Sequence, residues 1–305
     1  MEYSAQLCSA LNELRRITGI KLEAEAQTPE EEARVLNQIR CLCTAYKEKY
    51  NKNHFLKTLM TRDMSSLEVT EQAQRLHIAP EERRVLFLLE KKGPLDDTVM
   101  EILKNLFPSQ TKSYLIPMSD CSLAVLRPVK SSESEHDLSR IAHMIVDTLN
   151  MEALTQVRVA YSAVMGHLTE LGAAWQETSL ALKIGKLFYS EQNVFPYNRL
   201  GIGRLVYRLP IPICEGFLQE VFGNEIPEAQ DDETTATINR FLQNNLNIAE
   251  TSRQLHMHRN TLIYRLDQVE KRTGLDLRKF EDAMTFKIAS LVMNYLQTER
   301  NKEHE

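Results

Sequence analysis

The sequence predicts an α+β protein with N-terminal helices, a central domain on an antiparallel sheet and an all-α C-terminal domain. Three observations predict it. From Val85 the apolar residues switch between short strand-like runs and stripes of helical period, in the order β-α-β-β-α-β-α. A polar, acidic, aperiodic stretch at 223–233, GNEIPEAQDDE, then interrupts the chain, and the apolar stripes beyond it are helical. The 305 residues suffice for two or three domains, and 43% hydrophobic with 26% charged residues is the balance of a globular chain, not of a disordered or fibrous one.

The first fifty residues read as two amphipathic helices. Tyr3, Leu7, Leu11 and Leu14 share a face of the first, and Pro29 followed by Glu30, Glu31 and Glu32 is a start signal for the second. In that second helix Leu36, Ile39, Cys43, Tyr46 and Tyr50 recur at spacings of 3, 4, 3 and 4. This is the rhythm of a helix that packs along its length, on a neighbour in the same subunit or on a second copy. With fewer than three heptads, the first alternative is favoured.

A strand is expected at 85–90, a helix at 95–106, and two strands at 114–118 and 122–127 around a Ser119-Asp120-Cys121 turn. A helix at 135–150, a strand at 156–162 and a long helix from about 168 to 187 complete the region. That order builds a ferredoxin-like antiparallel sheet with helices on one face. Such a fold hosts many functions, so function has to be argued from a site.

Several classes of function are disfavoured. Only 10 glycines are present, a handicap for a phosphate-cradling loop. The apolar runs fall far short of the ~18 residues of a membrane span, and no apolar signal-peptide segment is visible, so a cytoplasmic protein without a membrane partner is expected. The five cysteines, Cys8, Cys41, Cys43, Cys121 and Cys214, form no CxxC pair, and His256 and His258 have no cysteine near them in sequence. No metal site or cofactor is expected.

The run 247–266, NIAETSRQLHMHRNTLIYRL, resolves into two short helices. Ile248 and Leu255 mark the inner side of the first, with small Ser252 between them. Leu262, Leu266 and Val269 mark the inner side of the second. Asn247 is a competent N-cap, and His256-Met257 is room for a tight turn only. This is helix-turn-helix geometry. At 100° per residue, Asn260, Thr261, Tyr264 and Gln268 then point away from the core, flanked by Arg259 and Arg265. Arginine grips guanine in a bidentate contact, asparagine pairs with adenine, and hydroxyls reach phosphates. Thr251, Arg253 and Gln254 on the first helix are candidates for holding the DNA backbone. Charge supports this: residues 247–280 carry seven Lys/Arg against four acids, a local +3 in a chain of net charge −5.

The segment HRNTLIYRLDQVEKRTGLDLRKFEDAMTFKIASLV, 258–292, resembles the C-terminal helix-turn-helix of the PucR/CdaR family of bacterial transcriptional regulators and, more remotely, the Fis-type unit. By that likeness His258, Arg259 and Thr261 fall in the DNA-contacting part of the recognition helix, at about 258–272. His256 stands where many such turns carry glycine, so a left-handed backbone must be borne by a non-glycine residue. Upstream, NHFLKTLMTRDMSSLEVTEQAQRLHI at 53–78 and the stretch from LTELGAAWQETSLALKIG to VFPYNRLGIGRLV at 168–206 are similar to the degenerate GGDEF-like domain of such regulators. From the first of these stretches to the last, 53–292, the resemblance spans about three-quarters of the chain. An active diguanylate cyclase would carry Gly-Gly-(Asp/Glu)-Glu-Phe at the central hairpin, where this sequence has Met118-Ser119-Asp120-Cys121. Its first strand ends in Glu90-Lys91-Lys92, without the metal-binding Asp. The resemblance therefore implies a non-catalytic sensing or dimerisation domain. The expected layout is a helical segment at 1–52, the GGDEF-like domain at 53–222, a linker at 223–233 and the DNA-binding domain at 234–305.

The function expected is that of a transcriptional regulator binding a double-stranded DNA operator as a homodimer or higher homo-oligomer, with two recognition helices ~34 Å apart. A small-molecule effector is implied by the likeness alone. The competing readings are a nucleotide-binding or nucleotide-cyclising signalling protein with a helical docking tail, and a metabolite-binding protein with no DNA role. The apolar stripe Phe280, Met284, Ile288, Leu291 and Tyr295 is expected to serve core or dimer contacts.

Overall fold

A computed structural model describes residues 5–18, 22, 28–49, 51–223 and 232–303. The chain divides into two compact units, one of residues 1–182 and 193–198, the other of residues 183–192 and 199–305.

In the first unit α1 (Ala5–Thr18) and α2 (Pro29–Lys49) lie against one another. Ile39 and Cys43 are covered by Leu7, Ala10 and Leu14, so this part of the heptad stripe is satisfied within the subunit. Tyr3 and Tyr50 lie outside the described residues. Next come α3 (Lys52–Thr61) and α4 (Ser66–Arg75). The latter is started by a capping box in which Ser65 and Glu68 satisfy each other's backbone N–H groups.

The sheet consists of β1 (Arg84–Lys91), β2 (Tyr114–Ser119), β3 (Ser122–Pro128), β4 (Val157–Tyr161) and β5 (Val194–Pro196), in the order β2-β3-β1-β4-β5. Strand β1 runs antiparallel to both β3 and β4, with Phe87 opposite Val125 on one side and Tyr161 on the other. These four strands have the expected ferredoxin-like order. The short β5, parallel to β4, was not expected. Three residues carry too little pattern to announce a strand.

The expectation of helices on one face is corrected. Helices α5 (Asp97–Leu106) and α6 (Glu135–Glu152) cover Val85, Phe87 and Leu89. On the other face Leu86, Ile116 and Leu126 pack with Phe55, Leu59 and Val69 of α3 and α4, and with Leu171 and Ala174 at the start of α7 (Leu171–Phe188). The physical reason lies in β1 itself. Val85 to Leu89 are apolar without alternation and all are buried, the signature of a strand covered on both sides. Each such side chain contributes about 1.5–3 kcal/mol relative to exposure.

The hairpin β2–β3 ends in a tip tied by its own groups. Ser119 Oγ lies 2.6 Å from Ser122 Oγ, and the carbonyls of Cys121 and Asp120 accept from the backbone N–H groups of Lys91 and Leu95 at 2.9 and 2.7 Å. Lys91 Nζ pairs with Asp96, the N-cap of α5.

The second unit begins with the last residues of α7, followed by α8 (Ile202–Val206) and α9 (Ile211–Phe222). It continues with α10 (Asp232–Gln243), α11 (Ile248–Gln254), α12 (Arg259–Thr273) and α13 (Phe280–Glu303). Val206, Cys214 and Leu218 bury against Ala289, Val292 and Leu296 of α13. Residues 199–222 thus pack with the C-terminal helices, whereas the sequence reading grouped them with the central domain. Of the expected linker, 224–231 lie outside the described residues. The α13 stripe is partly shifted: Phe280 is exposed, Leu291 is buried as expected, and the other buried positions are Ala283, Phe286, Ala289, Val292 and Leu296. Two of these positions are small alanines, and a reading that weights large apolar residues passes over them.

Candidate nucleic-acid interface

Helices α10, α11 and α12 close around one small core. Ile238 and Phe241 of α10, Leu262, Leu266 and Val269 of α12, Leu277 of the following loop and Phe286 of α13 are buried together, with Ile248 and Met257 partly covered at their edge. The inward stripe expected for α12 is the observed one.

Each end of the helix pair is fixed by local chemistry. Asn247 caps α11 through its side-chain oxygen, which accepts from the Glu250 N–H at 3.1 Å. His256 takes the left-handed backbone of the turn at φ 51°, without glycine. His258 is the N-cap of α12, its Nδ1 accepting from the Asn260 N–H at 3.2 Å. An accepting Nδ1 is unprotonated, so the ring proton sits on Nε2 in the capping state. At the other end Gly274, at φ 75°, supplies the left-handed residue that stops α12. Thr273 Oγ1 then accepts from the Leu275 N–H, the Asp276 N–H donates to Asp282 of α13, and Leu277 is fully buried. The Thr-Gly-Leu-Asp run is thus a compact joint between α12 and α13.

The outward surface of α12 has the composition expected. Arg259, Asn260, Thr261 and Tyr264 are exposed, Gln268 is half-exposed, and their side chains form no hydrogen bond or ion pair among the described residues. They stand within the first three turns of a helix whose leading N–H groups carry partial positive charge. On α11, Arg253 and Gln254 are exposed and both contact Glu250. The Glu250 carboxyl is held below its ordinary pKa by the hydrogen bonds from Gln254 and Arg253.

Two expected contact residues face elsewhere. Thr251 is fully buried; its hydroxyl donates to the Asn247 carbonyl at 2.7 Å and accepts from Asn244 Nδ2 at 3.2 Å. It anchors α11 and offers nothing to a DNA backbone. Arg265 was expected to flank the outer face, but its Nη1 donates to Thr237 Oγ1 at 2.8 Å and its Nη2 pairs with Glu233, both on α10. A periodicity reading places a residue on the helix wheel, and Arg265 lies at the boundary where a third helix takes the side chain.

Two supporting residues escaped the sequence reading. Asn244 bridges Thr251 and Gln254, donating to each. Arg278 sits among three carboxylates: Asp276 at 2.6 Å, Asp267 at 2.8 Å and Glu270 at 2.6 Å. The only hint of the second was its place just after the Thr-Gly-Leu-Asp run. Among the described residues no group of three or more His, Cys, Asp or Glu is arranged to hold a metal ion, and no helix is long and apolar enough to cross a membrane.

Comparison with known proteins accords with this geometry. Residues 234–292 match the PucR C-terminal helix-turn-helix domain, and residues 61–184 match the GGDEF-like domain. The chain is 28% identical to the purine catabolism regulatory protein of Bacillus subtilis over 134 residues, 44% of this chain and 25% of that protein. It is 24% identical to the carbohydrate diacid regulator of Escherichia coli over 268 residues, 84% and 69% of the two chains. A proline-responsive transcriptional activator of B. subtilis matches at 29% over 41% of this chain and 32% of its own length. The chain therefore spans only a quarter to about a third of two of these relatives and about two-thirds of the other. The chain thus carries a GGDEF-like domain followed by a PucR C-terminal helix-turn-helix domain and is similar to regulators of the PucR/CdaR type.

Proposed function

We propose that this chain is a DNA-binding transcriptional regulator of a catabolic or metabolic operon, acting in the cytoplasm as a dimer or higher homo-oligomer and responding to a small metabolite. Helix α12 enters the major groove by its N-terminal end. Arg259 and Asn260 read base edges, Thr261 and Tyr264 reach phosphate or base, and His258 fixes the first turn. Arg253 and Gln254 of α11 approach the backbone of the duplex. One observation carries the reading: a row of five polar side chains, free of internal partners among the described residues, stands on the exposed face at the start of a rigidly capped helix. A merely solvated helix pair has no need of a basic cluster in an acidic chain.

The central domain, in this reading, senses or assembles and does not catalyse. Regulators of purine, sugar-diacid and proline metabolism among the relatives support a metabolite effector of that general kind. The test is binding of the full chain to DNA from upstream of its own gene, titrated with salt and compared with random DNA of equal length. Preference for the upstream DNA that persists at moderate salt is the expected result. Equal binding to both, with and without extracts of small metabolites, would contradict it.

A further inference from the structure

Helix α12 carries its own electrostatic obstacle to DNA. At about 100° per residue, Asp267 lies roughly 20° around the helix from Asn260 and 60° from Tyr264, and Glu270 a further 60° on. Both carboxylates are about two-fifths exposed. They border the face that the proposed function turns toward a polyanion, where each would repel the nearest phosphates. Lys271 and Arg272 follow on the same helix, with no partner among the described residues.

We infer that Arg278 is a positioning residue of the DNA interface, holding Asp267 and Glu270 in a charge-compensated clasp that keeps α12 acceptable to a duplex; this rests on the DNA-reading function proposed above. The geometry is specific. Nη1 donates to Asp267 at 2.8 Å, Nη2 to Glu270 at 2.6 Å and Nε to Asp276 at 2.6 Å, so every nitrogen of the guanidinium has a different carboxylate partner. The Asp276 side chain also accepts from the Arg278 N–H, which fixes the base of the arginine to the joint between α12 and α13. A lysine offers one nitrogen in place of this fork. The clasp accordingly does two things at once: it draws two negative charges back from the reading face and ties that face to the loop between α12 and α13.

The two roles separate by removing the carboxylates in place of the arginine. The probe is a random-sequence duplex, because the repulsion acts on phosphates and needs no operator. Arg278→Ala is expected to weaken binding about threefold to tenfold at low salt, with the deficit shrinking as ionic strength rises. The triple variant Arg278→Ala/Asp267→Asn/Glu270→Gln should recover wild-type affinity or exceed it. The double variant Asp267→Asn/Glu270→Gln, which keeps the arginine, should bind more tightly than wild type. Thermal unfolding of each variant identifies any that fails to fold, and the double variant tests the charge term without Arg278→Ala. Unchanged affinity in Arg278→Ala, or a folded triple variant as weak as Arg278→Ala, would overturn the clasp and leave the DNA-reading function standing. Absence of duplex binding by the wild type itself would overturn both.

Discussion

The tip of the central hairpin and the start of α12 are both polar turns raised above a buried core, and they differ in what their polar groups are bonded to. At the hairpin, Ser119 and Ser122 face each other, and the Asp120 and Cys121 carbonyls hold the loop after β1. At α12, the backbone is capped by His258 and stopped by Gly274, while Arg259, Asn260, Thr261 and Tyr264 project without internal partners among the described residues. Exposure alone therefore says little about function. A binding surface is recognisable where rigid backbone and uncommitted side chains coincide, because the ordering entropy is already met by folding and the hydrogen-bonding capacity remains for a ligand.

The largest expected effect comes from the core that supports the reading face. Leu266→Ala removes a side chain only 1% exposed and should destabilise the C-terminal unit by about 2–5 kcal/mol in chemical denaturation, taking DNA binding with it. A smaller but more selective effect is expected at the surface. Arg259→Ala should lower specific affinity by about 1–3 kcal/mol while leaving the unfolding midpoint in place, since the side chain supports nothing else. The hairpin supplies the contrast: Asp120→Ala preserves the backbone carbonyl that bonds Leu95, so DNA affinity should not change. Incubation of the wild type with GTP and Mg²⁺ should give no cyclic nucleotide by chromatography.

Much of this contrast was legible in the sequence. The inward stripe of α12, the cap of α11 at Asn247, the tight turn at His256-Met257 and the four antiparallel strands all follow from local spacing and turn chemistry. What escaped shares a cause. Thr251 and Arg265 looked outward on a single helix, and only the arrival of Asn244 and of Glu233 and Thr237 from outside that helix turns them inward. The second helical layer on the sheet needed β1 to be read as covered on both sides. The Arg278 clasp joins residues up to eleven apart across a loop, beyond the reach of helix periodicity.

Two finer effects sharpen the comparison at the joint behind α12. Gly274→Ala meets no atom within 4 Å of the new Cβ, so its cost is that of a left-handed backbone alone, about 1 kcal/mol in thermal or chemical unfolding. The pH dependence is the smallest. Arg278 holds the Asp276 carboxyl below its ordinary 3.8, so in the folded state the group stays charged to lower pH than in the unfolded chain. Its stabilising contribution is therefore present above pH 3.8 and lost as pH falls through the depressed value. Arg278→Ala should therefore lower stability at neutral pH and flatten the acid limb of the stability curve, the variant and the wild type converging as pH falls through that window.

The central claim, that uncommitted side chains on α12 read DNA while committed ones build the domain, is tested most directly by a paired measurement on two arginines of the same helix. Arg259→Ala and Arg265→Ala are compared for the ratio of upstream to random DNA affinity and for thermal stability. The account predicts that Arg259→Ala collapses the ratio and leaves the midpoint unchanged, whereas Arg265→Ala, by breaking the contacts to Thr237 and Glu233, lowers the midpoint and leaves the ratio intact. A ratio that survives Arg259→Ala and collapses in a folded Arg265→Ala would contradict it.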